Sequence, residues 1–129
     1  MVVADASALV EYLCRTRQAA RIGKVVNAPN VHLHVPALCD IELAAALRRG
    51  LLSRRLSKER AGEVLEDYGD LPLTRHGHRT LLPHVLTLRH NFSAYDATYV
   101  ALAQVLDAAL LTADAGLARA ARQHVVIAE

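Results

Sequence analysis

Two stretches of the chain end alike. Val3-Ala4-Asp5-Ala6-Ser7 and Thr112-Ala113-Asp114-Ala115-Gly116 each carry a short apolar run to an aspartate and then turn toward a helix-like segment. A short continuous apolar run suits a strand buried on both faces, as in a parallel sheet. In open α/β sheets, ligands bind outside the carboxyl ends of the strands. Asp5, and Asp114 after it, therefore stand where such a fold would place its site.

The remaining chain supports that architecture. A strand over Val2–Ala4 leads to a helix over Ala8–Leu13. A second helical stretch, Arg17–Val26, is broken by Asn27-Ala28-Pro29-Asn30. Val31–Val35 alternates as a strand does. Pro36 starts a helix over Ala37–Arg49, with Gly50 as its expected end. Ser57 caps a helix over Lys58–Tyr68, and Leu71–Thr74 is a short strand. His78–Leu88 is helical with a break or kink at Pro83. A long helix follows over Ala94–Leu106, then a strand over Ala108–Thr112, a helix over Ala115–Arg122 and a final strand over His124–Ala128. Strands alternate with helices throughout, which predicts a three-layer α/β/α fold with a mostly parallel central sheet. With 129 residues and neither linker nor repeat, residues 1–129 are expected to form one domain.

Composition narrows the function classes. The net charge of +2 does not point to a polyanion partner, and the 15 basic residues, nearly all Arg, sit in an Ala- and Leu-rich background. One Phe and no Trp leave little for base stacking. Cys14 and Cys39 lie in apolar segments without metal spacing and are expected to be free thiols. Asp5 and Glu11 interrupt the N-terminal apolar stretch, so no leader is legible there, and no run approaches the ~18 apolar residues of a membrane span. A cytoplasmic protein is expected.

Of the 13 acidic residues, most fall in charged, solvated stretches. Four stand apart. Asp5 and Asp114 end strands. Asp96, in SAYDATYVALA, shares a helix face with Tyr99, Val100 and Ala103. Glu42, in CDIELAAAL, shares one with Leu38, Ile41 and Ala45. Structural readings exist for three of them. Asp5 and Asp114 suit helix N-caps, and Ser93-x-x-Asp96 has the form of a capping box. Glu42 has no such explanation, and burying it unpaired would be costly. The readings are compatible, because in a parallel sheet the helices begin where the strands end. Four carboxylates gathered there repel one another, by about 3 kcal/mol per ionised pair at ~5 Å and an effective dielectric of ~20. Hard oxygen donors without His or Cys select Mg²⁺ or Mn²⁺, which keep waters and commonly complete their shell with substrate phosphate. The chemistry so implied is phosphodiester or phosphoryl hydrolysis.

The order Asp5, Glu42, Asp96, Asp114, carried by VADASALV, IELAAALRR, YDATYVALA and LLTADAGLARAA, resembles the PIN domain. More narrowly it resembles the VapC toxins of VapBC toxin–antitoxin systems. The resemblance covers nearly the whole chain and is thinnest around residues 53–90. It implies a Mg²⁺- or Mn²⁺-dependent endoribonuclease acting through a metal-activated water. Asp5 and Asp96 would be the principal metal ligands, and Glu42 and Asp114 would complete the acidic set. Ser7 and Thr112, each two residues from one of these acids, would be hydrogen-bonding supports; ordinary turn hydroxyls are the competing reading. The resemblance also implies an RNA substrate, a homodimer and a cognate VapB-like antitoxin.

Two other readings stand beside this one. A metal-dependent phosphatase with Asp5 as nucleophile would favour a second Asp two residues on, where this chain has Ser7. A non-catalytic PIN-like binding module would not need all four acids. Among lesser signals, Arg48, Arg49, Arg54, Arg55, Lys58 and Arg60 could line a path for RNA phosphates or simply form a solvated helix end. His76-x-His78 lacks a third ligand at metal spacing. Tyr95 and Tyr99 flank Asp96 and could stack on a base or fill the core.

Overall fold

The computed structural model describes residues 1–129. Its centre is the strand β1 (Val2–Ala4), with Val3 and Ala4 fully buried. β1 pairs in parallel with β2 (Leu33–Pro36) on one side and β4 (Ala109–Leu111) on the other, and β3 (Leu73–His76) extends the sheet beyond β2. The order is therefore β3-β2-β1-β4, all parallel. Val3 stands opposite His34 and Leu110, and Ala4 opposite Leu111. The backbone N–H of Asp5 continues the β1–β4 ladder by donating to the Leu111 carbonyl at 2.9 Å. Thr112 is thereby brought beside Asp5.

This order contains a switch. From β1 the chain steps outward through α1 (Ala6–Leu13) and α2 (Ala19–Val26) to β2, and onward through α3 (Leu38–Leu52) and α4 (Lys58–Asp70) to β3. It then crosses back through α5 (Leu82–Thr87) and α6 (Ala94–Leu106) to lay β4 on the far side of β1. Loops leaving β1 and β4 diverge at that point and open a crevice at their carboxyl ends. The last helix, α7 (Ala115–Ala121), starts on its rim.

Helices cover the sheet in the expected three layers. α6 lies against β1, β2 and β4, and every residue from Ala97 to Ala103 is buried. Such a helix is apolar around its whole circumference, with alanines at 97, 101 and 103 allowing close approach. α1 packs on α2, α3 and α4. One core of 30 residues joins the layers, including Leu9, Ile22, Leu43, Val100 and Leu110, each 0–1% exposed. Cys14 and Cys39 are free thiols, as expected.

Several sequence expectations need correction. Gly50 does not end α3, which runs two residues further to Leu52. The glycine instead admits the returning chain: a Cβ there would meet the Leu56 Cβ at 3.0 Å, and its carbonyl accepts from Arg55 and Leu56. The core face of α3 is Cys39, Leu43 and Leu47, whereas Ile41 is 70% exposed. His78–Leu88 resolves into a 3₁₀ turn, Arg79–Leu81, followed by α5 with Pro83 in its first turn, where its missing N–H costs nothing. The final strand contracts to one parallel bridge, Leu110 to Ile127, held by two backbone bonds of 2.8 Å. No helix is long and apolar enough to cross a membrane.

Candidate active site

Asp5 caps α1, its Oδ1 accepting from the Ala8 backbone N–H at 2.9 Å. Asp114 caps α7 in the same way, accepting from the Leu117 N–H at 3.1 Å. Both aspartates thus serve the structural role foreseen for them. Asp96 does not. Its backbone N–H donates to the Ser93 Oγ at 3.1 Å, but its carboxylate makes no return bond to the helix terminus. Only half of the capping box forms, and the Asp96 side chain is left to face the crevice.

The structure brings all four sequence-identified acids into one cavity of about 290 Å³. Glu42, on α3, is half-buried and receives the Tyr99 hydroxyl at 2.6 Å on its Oε1. Burial, with additions from Cys39 and Glu42, pushes the Tyr99 phenol far above its ordinary range, so it stays a donor. Tyr99 is core, as one reading had it, yet it also carries this polar contact; Tyr95 is 62% exposed.

Asp5 is the most enclosed of the four, 4% exposed. Ser7 Oγ donates to its Oδ1 at 2.7 Å, and the Thr112 hydroxyl donates to its Oδ2. The two hydroxyls are 3.3 Å apart, and each also accepts a backbone N–H of the loop after β4 at 3.0 Å: Ala113 on Ser7, Asp114 on Thr112. This lattice ties the β1 and β4 loops to one carboxylate. Burial nonetheless dominates and raises the Asp5 carboxyl to about 6, against the pull of its hydrogen bonds and with a contribution from Asp96. Asp96 is raised too, first by burial and then by Asp114 and Glu42. Burial is the larger cause of both shifts, and the neighbouring carboxylates add to it.

Two further charged residues line the cavity, Glu11, which was not foreseen, and Arg49, foreseen only as part of a basic stretch. Glu11, about one helical turn beyond Ser7, adds a fifth carboxylate, and Arg49 is the sole cationic side chain in the lining. Glu42, Ala46 and Arg49 follow one another at i, i+4 and i+7 on α3, a spacing that would have placed Arg49 beside Glu42.

A divalent cation suits this chemistry, although no group of three or more His, Cys, Asp and Glu side chains is arranged to enclose one. The donors are all hard oxygens. Asp5 Oδ1 already accepts two hydrogen bonds, whereas Oδ2 accepts one, so a lone pair remains there. An open site completed by water is the kind Mg²⁺ occupies. The histidines form no alternative: His34 Nδ1 and His76 Nε2 lie 2.8 Å apart as a hydrogen-bonded pair across β2 and β3.

Comparison with known proteins identifies the family. The family model described as "PIN domain" matches residues 2–123. Ribonuclease VapC9 of Mycobacterium tuberculosis is 40% identical over 114 residues, covering 88% of this chain and 86% of that one. Ribonuclease VapC1 of the same organism is 39% identical over 119 residues, covering 92% and 89%. The crystal structure of VapBC2 from Rickettsia felis, bound to a DNA fragment from their promoter, matches in fold with a TM-score of 0.72 at 13% identity, covering 99% and 98%.

Proposed function

The chain belongs to the PIN-domain family, among the VapC ribonucleases, and from that premise we propose that its acidic crevice hydrolyses RNA phosphodiester bonds with a divalent cation. The protein is then the toxin of a toxin–antitoxin pair, held in check by a VapB-like antitoxin, and it works as a homodimer. The observation that carries the assignment of the site is the convergence of Asp5, Glu42, Asp96 and Asp114 on one cavity, where Asp5 and Asp96 are raised first by burial and then by neighbouring carboxylates.

Asp5 and Asp96 are the principal ligands for Mg²⁺ or Mn²⁺, and Glu42 and Asp114 complete the set. When bound, such an ion lowers the pKa of an attacking water and offsets charge on the leaving oxygen. The chain's own contribution is positional. Ser7 and Thr112 fix both oxygens of Asp5, so its remaining lone pair points one way. Tyr99 holds Glu42 in the same manner and, being protonated, neither adds charge nor takes the proton. The raised carboxyl of Asp5 ionises fully only above about pH 6, so cation binding strengthens with pH through that range.

Calorimetric titration with Mn²⁺ at neutral pH tests the site. Wild type should bind, and Asp96→Asn should bind at least about tenfold more weakly while melting cooperatively. Equal affinity in the two proteins would place the cation elsewhere.

A further inference from the structure

Two openings meet at Asp114. One is the acidic cavity, with Arg49 in its lining. The other, of about 320 Å³, is lined by Gln18, Arg21, Thr112, Asp114 and Arg122. Asp114 lines both openings, Arg49 lines the first, and Arg21 lines the second together with Glu129.

The cations differ in what they are bonded to. Arg49 is exposed and forms no ion pair, although five carboxylates share its cavity. Arg21 is exposed and donates only to neutral oxygens, Gln18 Oε1 at 2.8 Å and the Thr112 carbonyl at 3.3 Å. Neither guanidinium is engaged by a carboxylate. Arg122, by contrast, is paired with Glu129 at 2.9 Å. The second bond of Arg21 aims its guanidinium along the loop that carries Thr112 and Asp114.

An acidic cavity repels a polyanion. One divalent cation offsets two of five formal charges, so a nucleic acid strand entering it needs attraction supplied from the flanks. Guanidinium forks match phosphate oxygens two at a time. We propose that Arg49 and Arg21 are the phosphate anchors for RNA, gripping backbone phosphates on opposite sides of the one held over the carboxylates. This inference rests on the ribonuclease reading above. It assigns the anchoring to two arginines on separate elements, α3 and α2, and not to the wider basic stretch around residues 48–60. Of that stretch only Arg49 lines either opening, and Arg60 already bonds Glu63 at 2.8 Å and the Leu13 carbonyl at 2.6 Å.

The test uses a fluorescein-labelled random-sequence RNA oligonucleotide, with anisotropy read against KCl concentration in an Asp96→Asn background that cannot cleave. Arg49→Ala and Arg21→Ala should each weaken binding about tenfold at low salt. Each should also flatten the slope of log K against log salt by about 0.7, the share of one phosphate contact on a single strand. Arg49→Lys should keep that slope, and Arg89→Ala, which removes a charge outside both openings, should change neither quantity. With Asp96 restored and Mn²⁺ present, both alanine variants should raise KM more than they lower kcat. A merely structural role for Arg21, through Thr112, would lower kcat and leave the salt slope intact, and that result would overturn its part of the proposal. Wild-type affinity and slope in both variants, with wild type cleaving RNA, would overturn the whole of it. If wild type itself cleaves no RNA, the ribonuclease reading fails first.

Discussion

At the residue scale, Asp5 holds two roles that pull in opposite directions. As a cap it needs to accept hydrogen bonds, and it accepts three. As a buried charge it would sooner be protonated, and its carboxyl is raised from 3.8 to about 6. The folded protein therefore binds the Asp5 proton more tightly than the unfolded chain does. That contribution is fully present below pH 3.8 and is lost as pH rises through about 6. It amounts to about 3 kcal/mol, by the exchange rate of about 1.4 kcal/mol per pKa unit. In chelator, the stability of wild type relative to Asp5→Asn should thus fall by up to that amount between pH 4 and pH 7, read from denaturant melts. Parallel pH profiles for the two proteins would contradict this. Thr112→Val keeps the shape of the side chain but removes both the donor to Asp5 and the acceptor of the Asp114 N–H. It should cost roughly 10- to 100-fold in RNA cleavage and weaken Mn²⁺ binding. The acids were legible in the sequence, because a carboxylate at a strand end or inside an apolar helix face demands a reason, whereas Ser7 and Thr112 were suggested only by the family resemblance. Glu11 was not legible, because a charged residue near a helix end needs no reason, and Arg49 was read only within a basic stretch and not as a neighbour of Glu42. The hydrogen bond from Tyr99 to Glu42 joins residues 57 apart, which no local pattern records.

At the scale of elements, strands and helices were legible where one period dominates, and their ends were not. The α6 sequence shows little amphipathicity because the helix has no solvent face over Ala97–Ala103. Its length and its Ser93 cap identified it instead. Overpacking should accordingly be severe there. Ala101→Leu, at a fully buried position, should destabilise by about 1–3 kcal/mol, measured as a lower urea midpoint with an unchanged slope. Gly50 misled because a glycine after a helical stretch ending in Arg48-Arg49 suggests a stop, whereas this one makes room for Leu56. The C-terminal segment carries the apolar residues of a strand but joins β4 through a single bridge. Tyr99→Phe lies between element and site. It leaves the half-buried Glu42 without its donor, and should cost about 1–3 kcal/mol of stability as well as activity. Thermal melts beside cleavage assays would separate the two losses.

At the scale of the whole molecule, the site is a product of strand order. Asp5 and Asp114 are 109 positions apart in sequence, yet their strands are neighbours because the chain crosses back over β1 to lay down β4. Alternation of elements predicted a parallel sheet but not which strands adjoin. The repeated apolar-run-to-aspartate pattern was the one sequence sign that two strand ends share a function. Glu42 and Asp96 reach the same crevice from α3 and α6, so four carboxylates arrive from four separate segments. A protein that gathered them only for stability would bear their repulsion without return. On the function proposed above, they are gathered to cleave RNA with a cation. The most direct test of that function is the cleavage rate of purified wild type and Asp96→Asn on an RNA pool, in Mn²⁺ and in EDTA. Wild type should cleave only with the cation, and the folded Asp96→Asn protein should be slower by at least about 10²-fold. Equal rates in the two proteins, or undiminished wild-type cleavage in EDTA, would contradict it.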